Sequence, residues 1–199
     1  MLTSQIVAGV DEVGRGCLFG PVVAAAVIVP QDCIEPLQTL GVTDSKQLSA
    51  QRRSHLYQQI TMMIPDCRIG MASVKEIDRL NILQASLLAM KRAIGRLYQV
   101  PDLCLVDGNQ TIPNLEIAQR TVVKGDQKEL AIASASIIAK VWRDQLIIRL
   151  AQKYDGYDLA SNKGYGTRRH REALTQLGPS RLHRLSFAPC QLVLQACSQ

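Results

Sequence analysis

Four carboxylates in this chain stand where chemistry gathers. Asp11 and Glu12 follow the apolar run Ile6 to Val10 and open into Val13-Gly14-Arg15-Gly16. Asp107 closes Leu103-Cys104-Leu105-Val106 and precedes Gly108, and Asp126 follows Val122-Val123-Lys124-Gly125. In open α/β sheets functional groups collect at the carboxyl ends of strands, so neighbouring parallel strands would carry Asp11 and Asp107 to one edge. Asp and Gly also end strands because they make turns, and for any one of these segments that explanation suffices. Its recurrence in three separate segments points to a site.

If the four acids converge, each pair at ~4 Å repels by about 4 kcal/mol at an effective dielectric of ~20. Such a cluster needs cations, and two divalent ions would neutralise it. Oxygen ligands without His or Cys select magnesium or manganese, and paired ions are the arrangement that activates water and stabilises a leaving oxygen in phosphodiester cleavage. Adjacent Asp11 and Glu12 raise a geometric condition, because neighbours in a strand point to opposite faces. Both are expected to serve only if the strand ends there, and Gly14 and Gly16 offer the break.

The elements that position these acids are legible as apolar runs. Ile6 to Val10, Val22 to Val29, Cys67 to Val74, Leu103 to Val106 and Thr121 to Val123 read as strands, the first two forming an antiparallel pair around Gly20-Pro21. Ser49 to Ile64 and Glu76 to Leu97 read as helices, the latter with Ile77, Leu80, Leu83, Leu87, Met90, Ile94 and Leu97 at helical spacing. Leu130 to Leu150 reads as a third, with Ile138, Trp142, Leu146 and Leu150 on one side and Ser136, Lys140, Arg143 and Asp144 on the other. This order predicts a mixed five-stranded α/β sheet flanked by helices. The expected division is a catalytic domain over 1–153 and a small, basic, helical appendage over 154–199.

The loop after the first strand also approximates a dinucleotide fingerprint. The third glycine of that motif would fall on Phe19, and Pro21 begins a strand where the cofactor helix should start. The glycines otherwise make a tight turn, or expose backbone amides beside a guanidinium to a sugar-phosphate chain.

The 199 residues, 47% hydrophobic and 20% charged, suit one globular unit that needs no staples. The longest strictly apolar run, Val22 to Val29, is far shorter than the ~20 residues of a membrane-crossing helix. The start lacks the pattern of an export signal, so a cytoplasmic location is expected. Cys17, Cys33, Cys67, Cys104, Cys190 and Cys197 are scattered without a Cys-x-x-Cys pair and read as reduced, mostly buried hydrophobes. In the last fifth of the chain Lys163, Arg168, Arg169, Arg171, Arg181 and Arg184 stand against Glu172 alone, a candidate surface for a polyanion or simply a solvated face.

Assembled in order, the motifs identify a family. Asp11-Glu12-Val13-Gly14-Arg15-Gly16 with Gly20-Pro21, Thr43-Asp44-Ser45-Lys46, Val106-Asp107-Gly108, Lys124-Gly125-Asp126, Ser134 to Val141, Lys163-Gly164-Tyr165-Gly166-Thr167 and His183-Arg184-Leu185-Ser186-Phe187 resemble bacterial ribonuclease HII over Ile6 to about Pro189. Each motif is weak alone; together and in family order they are specific. Arg15 favours this family over the related ribonucleases HIII, which tend to carry lysine there and a long N-terminal extension. Ser134 replaces a more usual alanine.

The resemblance implies a ribonuclease H-like fold and an endonuclease that cuts the RNA strand of RNA–DNA hybrids. It also implies cutting on the 5′ side of single ribonucleotides in duplex DNA, leaving a 3′-hydroxyl and a 5′-phosphate. It assigns Asp11, Glu12, Asp107 and Asp126 to two catalytic manganese or magnesium ions, Gly14, Arg15 and Gly16 to the 2′-hydroxyl at the RNA-to-DNA step, and Tyr165 to the following sugar. Lys46 is expected either to contact phosphate or to be a surface lysine beside Asp44. The His183 to Phe187 segment is expected to brace the appendage. The chain is expected to act as a monomer. Gln191-Leu192-Val193-Leu194 faintly resembles peptides that dock on sliding clamps, although an apolar closing helix fits it better. A non-catalytic hybrid-binding protein and a junction nuclease of the same fold are the competing readings.

Overall fold

The computed structural model describes residues 5–196. Five strands, β1 (Val7–Val13), β2 (Val22–Ile28), β3 (Cys67–Ala72), β4 (Leu103–Asp107) and β5 (Ala118–Val122), form one sheet in the order β3-β2-β1-β4-β5. β1 pairs antiparallel with β2, as does β2 with β3, whereas β1–β4 and β4–β5 are parallel. The helices are α1 (Ile34–Thr39), α2 (Ala50–Met63), α3 (Val74–Leu80), α4 (Ile82–Ile94), α5 (Leu130–Ala151), α6 (Leu159–Asn162), α7 (Arg168–Leu177) and α8 (Ala188–Ala196). Among the described residues no helix is long and apolar enough to cross a membrane.

The sheet has a core on each face, and strand alternation decides which residue serves which. Ala8 and Val10 of β1 and Cys104 and Val106 of β4 join Ala85, Ala89 and Ala93 of α4 in one core. Ala25 and Val27 of β2 join Leu56 and Ile60 of α2 and Ala135 and Ile138 of α5 in the other. β2 is buried along its whole length because both faces are covered. Gly9 lets α5 lie directly on β1, since a Cβ there would overlap the backbone at Ala131 and Ile132. A third core ties Leu18 and Phe19 to Ile147, Tyr157, Leu159, Leu174 and Cys190, joining the loop after β1 to the C-terminal helices.

Three expectations are corrected. The helix expected over Glu76 to Leu97 is two helices, because Asn81 takes a left-handed φ of 72° and its side chain caps α4 through the Gln84 amide at 3.1 Å. The apolar spacing stays in phase across the break, which hides it from periodicity. The last strand begins earlier than expected, at Ala118. In α5 the expected polar side is not a solvent face: Ser136 is buried and Arg143 has no exposed surface, whereas Trp142 and Leu146 of the expected apolar side are only partly buried. Helix α1 escaped the sequence reading, and Cys197 lies outside the described residues.

Candidate active site

The parallel register places the first two acids together. Val10 stands opposite Val106, so one residue further along Asp11 stands beside Asp107 on the neighbouring strand. Because Val10 and Val106 face α4, both carboxylates face α5. β4 and β5 stay in step to Asp107 opposite Val122, and the short 3₁₀ turn Gly125–Gln127 then returns Asp126 to the same edge. That turn is tied down by the Gly125 amide, which donates to Asp107 Oδ1 at 2.7 Å.

Glu12 arrives differently. The strand does not end between the two acids, as had been required for both to serve, but runs on to Val13 with Glu12 paired to Ala24. Glu12 is therefore pleated towards α4. It lines a hollow with Ser86, Asp107 and Asn109 on that side and a second hollow with Asp11 on the other. Because β4 has already ended at Asp107, the glutamate can reach both faces across the open edge.

The electrostatics record the crowding. Asp11 is held well above the usual carboxylate range by burial and then by Glu12 and Asp107, with the Ser136 hydroxyl and the Glu12 amide pulling the other way. Burial also raises Glu12, while Arg15, bonded to its Oε1 at 3.1 Å, lowers it and Asp107 raises it further. Asp126 is raised by burial and by Asp44, against the pull of Lys46. Among the described residues no three His, Cys, Asp or Glu side chains form a ready-made metal cage. Arg15 and Lys46 offset only part of the mutual repulsion of these carboxylates, which leaves a surplus of negative charge that a divalent cation would satisfy. The donors are all oxygens, which fits magnesium or manganese and not zinc.

Lys46 lies on the 3₁₀ turn Ser45–Gln47, with its ammonium 3.7 Å from Asp126 Oδ2. Burial opposes its charge, but Asp126, Asp11, Asp44 and Asp107 together raise its pKa. The lysine side chain is largely exposed and reaches Asp126 from the surface, so it is a surface lysine that stands beside the acids as well as Asp44. Asp44 itself is buried and holds the turn by accepting from the Lys46 amide at 2.9 Å and from Gln127 at 3.2 Å. Ser45 and Ser136 hydroxyls meet at 2.8 Å beneath Asp11. The serines and Asp44 were not singled out from the sequence, although all three lie inside motifs that were.

Tyr165 closes the opposite wall. Its backbone bridges to Cys17, its ring lies 5.2 Å from the Lys140 ammonium, and burial raises its phenol to about 12. Asp11, Glu12, Ser45, Lys46, Ser136, Lys140 and Tyr165 line one small hollow of about 60 Å³. So small a cavity suits a polymer lying across the surface better than an engulfed small molecule.

The loop between β1 and β2 is shaped by two buried arginines. Arg143 donates to the carbonyls of Phe19 at 2.9 Å, Pro21 at 3.1 Å and Lys163 at 2.8 Å. Arg184 donates to those of Gly14 at 2.7 Å, Arg15 at 2.8 Å and Gly20 at 3.0 Å. Arg184 has no exposed surface, so it drops out of the basic face read from the sequence. Arg168, Arg169, Arg171 and Arg181 remain on the outside. Composition could not separate Arg184 from these, because nothing local to it specifies burial.

Gly14 is required by conformation and space: its φ is 88° and a Cβ would overlap the Arg143 guanidinium. Gly16 differs, having no positive φ and only open space where a Cβ would stand. Packing therefore does not demand a glycine there.

A family model described as Ribonuclease HII matches residues 8–190 of the chain. The ribonuclease HII of Acaryochloris marina (strain MBIC 11017) is 68% identical over 191 residues, 96% of each chain. The ribonuclease H2 of Pyrococcus horikoshii OT3 superposes with a TM-score of 0.82 at 28% identity, over 98% of this chain and 100% of that one. The PCNA:RNase HII complex from Archaeoglobus fulgidus contains a chain that superposes with a TM-score of 0.78 at 29% identity, over 92% of this chain and 95% of that one.

Proposed function

This chain belongs to the ribonuclease HII family, metal-dependent nucleases acting on RNA–DNA hybrids, and we propose that it also cuts 5′ of single ribonucleotides in duplex DNA, leaving a 3′-hydroxyl and a 5′-phosphate. The observation that carries the reading is the hollow in which Asp11 and Glu12 face Lys46, Lys140 and Tyr165. It sets hydrolytic groups, phosphate-binding cations and a sugar-stacking ring around one short stretch of backbone.

Asp11, Glu12, Asp107 and Asp126 would hold two divalent ions, magnesium or manganese. When bound, such ions supply an activated water and stabilise the leaving oxygen. Lys46 and Lys140 bring the substrate phosphate up to the acids, where a duplex would otherwise be repelled. The amides of the Gly14 to Gly16 loop hydrogen-bond the 2′-hydroxyl, the group that distinguishes RNA from DNA at a given position. Arg15 steadies Glu12 from the same loop. Tyr165 packs on the next sugar, and the exposed arginines of α7 hold the duplex without reading its sequence.

The division at residue 153 then separates chemistry, on the sheet, from grip and junction sensing, on the C-terminal helices. All the proposed site residues come from one chain, which fits an enzyme acting as a monomer. The five described cysteines are free, which suits the reducing cytoplasm. The decisive assay compares an all-DNA duplex with the same duplex carrying one ribonucleotide, with either metal and with chelator. Metal-dependent cutting of only the second duplex, at the 5′ side of the ribonucleotide, is expected. Equal cutting of both, or binding without cutting, would replace this reading with a junction nuclease or a hybrid-binding protein.

A further inference from the structure

We infer that the extended segment Leu182 to Arg184 is the brace that fixes the Gly14 to Gly16 loop and Tyr165 in one relation to each other, with Arg184, His183 and His170 as positioning residues. The inference rests on the reading above, in which that loop and that tyrosine sense the ribonucleotide.

The segment runs antiparallel to the loop, with Phe19 and His183 forming a bridge. The Gly20 amide donates to Leu182 O and the Arg184 amide to Leu18 O, each at 2.9 Å. Successive residues of an extended strand project to opposite sides. Arg184 accordingly turns to the Gly14 and Arg15 carbonyls, while His183 turns towards α7 and meets His170 there. On its far side the chain is anchored to α3, where Asp78 accepts from the amides of Leu185 at 3.2 Å and Ser186 at 3.0 Å.

Arg184 determines which way the loop amides point. In a planar trans peptide the carbonyl and the following N–H are antiparallel. Drawing the Gly14 and Arg15 carbonyls inward to one guanidinium therefore turns the Arg15 and Gly16 N–H groups outward, away from the protein. A lysine could not do this, because a rigid planar fork holds several carbonyls at fixed angles and a single ammonium does not. Burying the guanidinium among carbonyls, with the Phe187 ring 5.1 Å away, is costly, and burial brings its pKa down to about 10.

The histidines form a proton chain whose order is determined by its ends. The Ser180 amide can only donate, and it lies 2.9 Å from His183 Nδ1. A neutral His183 must then carry its proton on Nε2, which faces His170 Nε2 at 3.0 Å. His170 therefore holds its proton on Nδ1 and donates it to the Tyr165 carbonyl at 2.9 Å. Rings of Phe19 and Tyr157 pack against His183 with centroids 5.1 and 4.6 Å away, and burial disfavours charge on both histidines. The Ser180 amide and hydroxyl both meet His183 Nδ1 at 2.9 Å, and the chain of bonds from there to the Tyr165 carbonyl holds the Tyr165 backbone in register with the segment that carries Arg184.

The test has two parts. In the wild-type enzyme, ¹⁵N-edited NMR of the imidazoles should show opposite tautomers, His170 protonated on Nδ1 and His183 on Nε2, and any other pair would overturn the histidine half. Arg184→Lys and His170→Phe should each lower kcat/KM on a single-ribonucleotide duplex at least tenfold, chiefly through kcat, and should narrow the preference for that duplex over all-DNA. Folding is verified by circular dichroism, and if Arg184→Lys does not fold, His170→Phe and the tautomers decide. Folded variants that keep the wild-type preference would overturn the inference alone. A wild-type enzyme without any ribonucleotide preference would overturn the functional reading beneath it.

Discussion

Replacing Gly16 with alanine separates recognition from folding, and the structure supplies both magnitudes. A Cβ at Gly16 meets nothing within 4 Å and the backbone there has no positive φ. Alanine therefore fits without strain and is expected to stabilise the fold by about 0.4–1 kcal/mol through the unfolded chain, raising Tm by roughly 1–4 °C. On the substrate side the added methyl stands where a sugar must approach the loop amides. Losing one net hydrogen bond of about 1–1.5 kcal/mol corresponds to roughly tenfold in rate. Displacing the scissile phosphate by ~1 Å adds up to about a further tenfold. Gly16→Ala should thus lower kcat/KM on a single-ribonucleotide duplex by about 10–100-fold in a protein at least as stable as wild type. Gly14→Ala is the contrast: its left-handed conformation alone costs about 1–2 kcal/mol, and the overlap with Arg143 adds to it. It should lose stability and activity together. Thermal unfolding and steady-state cleavage on the two variants give the answer. Undiminished cleavage by Gly16→Ala would refute the argument that the substrate approaches this backbone.

Asp107→Asn keeps an oxygen for the Gly125 amide, so the fold should survive while cleavage in either metal falls by at least about a thousandfold and hybrid binding is unchanged or tighter; retained turnover would remove Asp107 from the chemistry. Tyr165→Ala should slow cutting at an isolated ribonucleotide with Tm nearly unchanged, since the residue is 38% exposed, and unaltered rates would return it to packing. Burial and then His170 lower His183 from its ordinary 6.5 to about 4. The unfolded chain takes up that proton first, so the stability this group contributes is whole above about pH 6.5 and lost as pH falls towards 4. The loss is at most about 3.4 kcal/mol and less after solvent screening; urea unfolding at pH 7.5 and 5 captures up to about 2 kcal/mol of it, and a His183→Gln variant with the same pH slope would contradict the assignment. A peptide of the tail containing Gln191 to Leu194 tests the clamp contact by direct titration; Leu192 is exposed whereas Cys190 is buried and Val193 packs inward, so an absence of binding would leave α8 as a closing helix only.

Much of this protein was legible before any coordinate. Apolar runs of β-branched residues are local signals and marked all five strands, while acids placed just after three of those runs marked the candidate site. The motifs carried the family. Polar side chains were another matter, because their fate is set by groups that arrive from far along the chain. Arg184 has the composition of a phosphate contact, and only the approach of the Gly14 to Gly20 carbonyls makes it a buried brace. Arg143 stood among the polar positions of its helix, and only the loop and Lys163 folding over it bury it. Asn81 breaks a helix whose apolar stripe continues unbroken, since periodicity records which side is buried and not whether the backbone is continuous. Glu12 was expected to need the end of its strand, yet it is the earlier end of the neighbouring strand that opens the edge to it. A sequence specifies which groups are present and the local periods they follow, whereas burial and hydrogen-bond partnership depend on contacts between distant segments, and those exist only in the folded chain.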